Sequence, residues 1–125
     1  MQLKFERSYL SQAMPGLQFK IRRISLAERM RFLADNHGLM QKLKFFAAGL
    51  GQDPKERISM AEHELELSRR LLETCLAGIY EYSGEKLSQE NPVAWLLQEA
   101  PTEFCVEVLS RVSEEIALTE ERRKN

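Results

Sequence analysis

The sequence predicts a mainly α-helical domain of four to five helices, one of them long and central, with a small β-hairpin at its N-terminal end. Three observations carry this. Apolar residues from Ile58 to Tyr82 recur in alternating three- and four-residue steps, the spacing of a helix seam. Cap chemistry precedes several of the apolar segments: Ser25 with Glu28, Asp53 before Pro54, and Asn91 before Pro92. Period-2 alternation is confined to "QLKFE" (2–6) and "LQFKI" (17–21).

Those two short runs read as the strands of an antiparallel hairpin, with Leu17, Phe19 and Ile21 on one side. "MPG" (14–16) supplies Pro then Gly, the pair a type II turn favours. A lone hairpin is marginal in water, so its apolar face must lie on the helices or on another chain. Ser25 and Glu28 then form a capping box. The helix it opens carries Leu26, Met30, Leu33 and His37 on one stripe, with Gly38 placed to end it. A further helical stretch over 39–50 presents Met40, Leu43, Phe46 and Leu50; the spacing fits two helices or one kinked helix over 25–50.

"GLGQDPKER" (49–57) is the clearest boundary, since Asp53 is a cap and Pro54 sits at the first helical position. From there about 28 residues can be helical, ~42 Å at ~1.5 Å per residue. The seam reads Ile58, Ala61, Leu65, Ser68, Leu72, Cys75, Ile79 and Tyr82. A loop over 83–92 follows, then a short helix with Trp95 and Leu96. Pro101 opens another, with Phe104, Cys105, Val108, Leu109, Val112 and Ile116 on its apolar face; Thr119 is placed to cap a last turn. The expectation is one domain over 1–125, with 1–24 a hairpin arm and 25–125 the helical body.

A length of 125 residues, 43% hydrophobic and 30% charged, suits a single globular unit. No stretch reaches the ~18 apolar residues of a membrane span, and the charges scattered through "MQLKFERSYL" do not form a secretory signal. Cys75 and Cys105 lack CxxC spacing and read as reduced, buried thiols, which points to the cytoplasm. The net charge of −1 hides an asymmetry: residues 1–52 hold nine Lys or Arg against three acids, residues 53–125 nine against sixteen. Such a split can align neighbouring copies head to tail, or two solvated faces can neutralise each other within one fold.

No stretch spells out a catalytic or cofactor site. "AEHELELS" (61–68) resembles a zinc-protease helix only until the position four after His63, which is Leu67 where a second ligand is required. Two Glu-x-x-His pairs, as in a di-iron bundle, are also absent. "GLGQDPK" lacks the spacing of a phosphate-binding loop. The expectation is therefore no enzyme, no metal and no cofactor. The basic cluster Lys20, Arg22, Arg23, Arg29 and Arg31 is the one patch suited to nucleic acid, but it has no aromatic interleaving and no recognition helix. Protein binding is the better reading. Phe45 and Phe46 are adjacent, so one narrow seam cannot bury both, and Met14, Met30, Met40 and Met60 are adaptable apolar groups of the kind a partner-binding surface uses. With Phe19 and Ile21 on the hairpin, Met40, Phe45, Phe46 and Met60 are the candidate protein-binding residues.

A short strand feeding "ISLAERMRFL", a long acidic helix, "WLLQEAPTEFCVEVLSRV" and a closing "LTEERRKN" together resemble small proteins of phage and prophage tail gene clusters, the tail assembly chaperones. The similarity covers about residues 17–33 and 95–125. It implies a mostly helical protein of the host cytoplasm that coats and solubilises the tape measure protein, a long helical client, before the tail tube polymerises. It also implies self-association of many copies along that client. On this reading, replacing Phe19 and Ile21 with Lys should abolish self-association and spare helicity. The alternative is a helical adaptor or regulator that binds a single partner, with a nucleic-acid-binding regulator behind it.

Overall fold

The computed structural model describes the backbone of residues 6–48, 53–87 and 91–124, and side chains except those of 45–48 and 117–124. Its elements run β1 (Glu6–Leu10), β2 (Leu17–Arg22), α1 (Leu26–Asp35), α2 (His37–Ala48), α3 (Pro54–Cys75), β3 (Leu76–Glu81), α4 (Pro92–Gln98) and α5 (Thr102–Lys124). The strands form one antiparallel sheet in the order β1-β2-β3. The fold is thus α+β, and the expectation of a mainly helical domain carrying a two-stranded hairpin is corrected by β3.

The correction has a physical cause. α3 ends at Cys75 and Leu76 turns at once to extended backbone, so the expected long helix is cut short and its tail becomes a strand. Cys75 and Ile79 are both buried, as the seam requires. A four-residue step, however, is close to one turn of helix and also two full periods of a strand, so it cannot discriminate between them. The ladder offered by β2 decides, and β-favouring Ile79 and Tyr80 and helix-poor Gly78 go with it. The pairing slips by one residue between Lys20 and Ile21, so that Leu76 as well as Ile79 packs on the core.

One face of the sheet carries Phe19, Ile21 and Ile79, buried under Leu72 and Cys75 of α3, Val93 and Leu96 of α4, and Phe104, Val108 and Val112 of α5. Phe19 stacks on Tyr9 and meets the Phe104 ring edge-on, with centroids 5.5 and 6.0 Å away. Tyr9, Phe19 and Ile21 thus tie the hairpin to the helical body. The Glu107 carboxylate on α5 fastens the hairpin further, accepting from Ser11 Oγ at 2.6 Å and from the Gln12 amide at 2.8 Å.

Local chemistry behaves as the residues dictate. Leu17 N–H donates to the Met14 carbonyl at 3.1 Å with Gly16 at φ +103°, as a type II turn needs. The Ser25–Glu28 capping box forms, and Asp53 and Asn91 accept from Lys55 and Ala94 amides. The expected first strand over 2–6 lies almost wholly outside the described residues; the strand that pairs is Glu6–Leu10. Residues 25–48 make two helices divided at Asn36, and Gly38 lies inside the second. The expected last turn opened by Thr119 is no separate element, because α5 runs on to Lys124. Among the described residues no helix is long and apolar enough to cross a membrane.

Candidate protein-interaction surface

The buried positions of α1 and its C-cap are Arg29, Phe32 and Asn36, three and four residues apart, while Leu26 and Met30 are 53% and 42% exposed. Leu33 is half-buried and His37 exposed, so the apolar stripe of this helix lies on its open side. Polar partners hold it so. Arg29 Nε donates to the Ile116 carbonyl of α5 at 3.1 Å. Asn36 Nδ2 donates to the Phe32 carbonyl at 2.8 Å, and Asn36 Oδ1 accepts from Arg70 Nη1 at 2.7 Å. Arg70 Nε in turn donates to Glu66 at 2.8 Å, which ties the end of α1 to α3. Burying a guanidinium is costly unless its donors are satisfied, and no described buried side-chain polar atom lacks a partner.

Between α1 and α3 lies a polar groove of about 430 Å³, lined by residues that include Glu28, Arg31, Asp35, Arg70 and Glu73. Glu28, Arg70 and Glu73 of its lining are engaged by Arg22, Glu66 and Arg69 beside it. Arg22 donates to Glu28 at 2.8 Å and holds that carboxyl below its ordinary range. Arg69 bridges Glu66 and Glu73, and the hydrogen bonds from Arg69 and Arg70 pull Glu66 down to about 2.

The five cations of the basic cluster have different surroundings. Lys20 lies on the open face of the sheet, its amine 4.7 Å from the centre of the Tyr80 ring. Arg22 reaches Glu28 and also the Thr74 carbonyl at 3.0 Å, and Arg23 lies 3.8 Å from the buried Glu115 carboxylate. Arg29 is in the interior, and Arg31 is exposed at the rim of the groove. Of the five, Arg22 and Arg23 have carboxylate partners.

The expected protein-binding residues divide likewise. Phe19 and Ile21 are 1% and 2% exposed and belong to the core. They also lie on the central strand, both of whose edges are occupied, so they cannot join a second copy. The expected effect of lysines there is corrected accordingly: they would unfold the domain. Met40 on α2 and Met60 on α3 are half-buried, and the side chains of Phe45 and Phe46 lie outside the described residues. The sequence reading grouped Leu26 and Met30 on one stripe and Ile58 and Leu65 on one seam, and it offered Met30 but not the other three as a partner-binding group; the structure leaves all four exposed. The Arg29–Phe32–Asn36 spacing was the available signal, but charged residues are so seldom buried that pattern reading passes over them.

Cys75 is buried and Cys105 half-buried, both as free thiols. Burial pushes Cys75 up to about 11 and raises Cys105 in the same direction, the opposite of an activated nucleophile. Among the described residues no three His, Cys, Asp or Glu side chains converge as metal ligands. His63 places Nδ1 2.6 Å from the Ser59 carbonyl on its own helix. No protein-family model, curated protein or solved structure matches this chain.

Proposed function

We propose that this chain is a non-enzymatic protein-binding module of the cytoplasm, acting as a phage or prophage tail assembly chaperone that holds the tape measure protein soluble during tail morphogenesis. One observation supports binding above all: α1 turns Arg29 and Phe32 inward and leaves Leu26, Met30 and part of Leu33 open to a partner. Residues at i, i+4 and i+7 on one helix match the apolar stripe of a second helix laid against it, the form in which a long helical client presents itself. The choice of client rests on the resemblance of residues 17–33 and 95–125 to tail assembly chaperones. The adaptor reading shares the same surface and differs in stoichiometry.

Co-expression with the longest helical protein encoded beside the gene, followed by size-exclusion chromatography with light scattering, tests the proposal. A soluble complex with several copies per client, from a client insoluble alone, is the expected result. Leu26→Glu with Met30→Glu should abolish the complex and keep the fold. One copy per client would favour the adaptor, and a client that precipitates regardless would overturn the chaperone.

A further inference from the structure

α3 carries two apolar stripes, and they have different fates. Met60, His63, Leu67 and Leu71 are half-buried along a helix on which α2 packs. The second stripe, Ile58, Ala61, Leu65, Ser68, Leu72 and Cys75, keeps heptad spacing throughout. Its downstream end, Leu72 and Cys75, is wholly buried in the domain core. Its upstream half emerges from the fold: Ile58 is 60% and Leu65 55% exposed, with Ala61 exposed between them. A regular a/d seam in water is an incomplete coiled coil.

The residues flanking the seam indicate what completes it. With Ile58 and Leu65 at a and Ala61 and Ser68 at d, the g positions are Arg57 and Glu64, and the e positions are Glu62 and Arg69. In an antiparallel pair of identical helices, a residues face d residues, g faces g, and e faces e. Aligning Ala61 with Leu65 of a second copy sets Ile58 against its Ser68, Arg57 against its Glu64, and Glu62 against its Arg69. The two-fold axis repeats each contact, so every flanking pair is attractive and Ala61 accommodates the opposing Leu65. Arg69 already holds Glu66 and Glu73, yet its side chain stays 43% exposed and open to a further carboxylate.

Charge alone also permits a parallel pair, which would set Arg57 against Glu62 and Glu64 against Arg69. The body of the domain decides. Since Leu72 and Cys75 sit inside the core, parallel partners would bring two cores to the same end of the seam, whereas antiparallel partners keep them at opposite ends. We infer that the exposed half of α3 is a homodimer interface, pairing antiparallel with α3 of a second copy through Ile58, Ala61 and Leu65. This goes beyond the client-binding proposal and is tested without any client.

Sedimentation equilibrium of the full chain up to about 200 µM should show a monomer–dimer equilibrium with Kd on the order of 1–100 µM, as befits a small interface. Leu65→Glu should give a monomer with unchanged helicity and Tm, since that side chain is no part of the core. Arg57→Glu should weaken the dimer about tenfold, and Arg57→Glu with Glu64→Arg should restore it. In a parallel dimer that double exchange sets Glu against Glu62 and Arg against Arg69, so it would weaken association further. A strictly monomeric wild type, a dimer indifferent to Leu65→Glu, or a double exchange that fails to restore affinity would each overturn the inference.

Discussion

Arg29 on α1 donates through Nε to the main-chain carbonyl of Ile116 on α5, 3.1 Å away and 87 residues distant in sequence, with only 1% of its surface exposed. That bond sets which side of α1 faces the body, and hence which apolar residues are displayed. Truncation to Ala would remove a buried side chain and leave its acceptor without that donor. Arg29→Ala should therefore cost about 2–4 kcal/mol, read as a lowered urea midpoint at unchanged slope. A loss under about 0.5 kcal/mol would mean that α1 is oriented by Phe32 alone.

Phe19 and Leu26 should respond in opposite ways to the same change. Phe19 is enclosed by Tyr9 and Phe104, so Phe19→Ala should cost about 3–5 kcal/mol. Leu26 is exposed, and Leu26→Ala should stay within about 0.5 kcal/mol. Thermal melts of the two variants side by side check this; equal losses would place α1 with its stripe inward.

On the open face of the sheet the Tyr80 ring folds back over Gly78. A methyl group at position 78 would come within 2.9 Å of the outer ring atoms, so the ring must swing away and leave Lys20. Gly78→Ala should cost about 1 kcal/mol in the wild-type background and nothing once Tyr80→Ser has removed the ring. A double-mutant cycle measures the difference, and full additivity would show that the ring does not lie there.

Glu66 gives the acid behaviour a direction. Hydrogen bonds from Arg69 and Arg70 lower its folded-state value to about 2 from an ordinary 4.5, so the unfolded chain takes up the proton first. The stabilisation is present above 4.5 and is lost as pH falls toward 2. Denaturation midpoints taken across that window should fall with acid in the wild type and fall less in Glu66→Gln. Identical profiles would mean the network is fully screened by solvent.

Much of this protein was legible because it is local. The Pro15–Gly16 turn, the Ser25 capping box and the Asp53 and Asn91 caps are each set by a few adjacent residues, and all form as written. The core face of α5 was legible for the same reason, as Phe104, Val108 and Val112 repeat at helical spacing with nothing to compete.

Two features depended on partners far along the chain. Residues 76–81 satisfy helix and strand periodicity equally over four-residue steps, and only the β2 ladder made them a strand. The facing of α1 followed from donors and acceptors on α3 and α5, since Arg29 and Asn36 can be buried only where Ile116 and Arg70 meet them. Hydrophobic periodicity says which residues share a face. Whether that face turns inward is decided by the free energy of burying its rivals, and that depends on the tertiary structure.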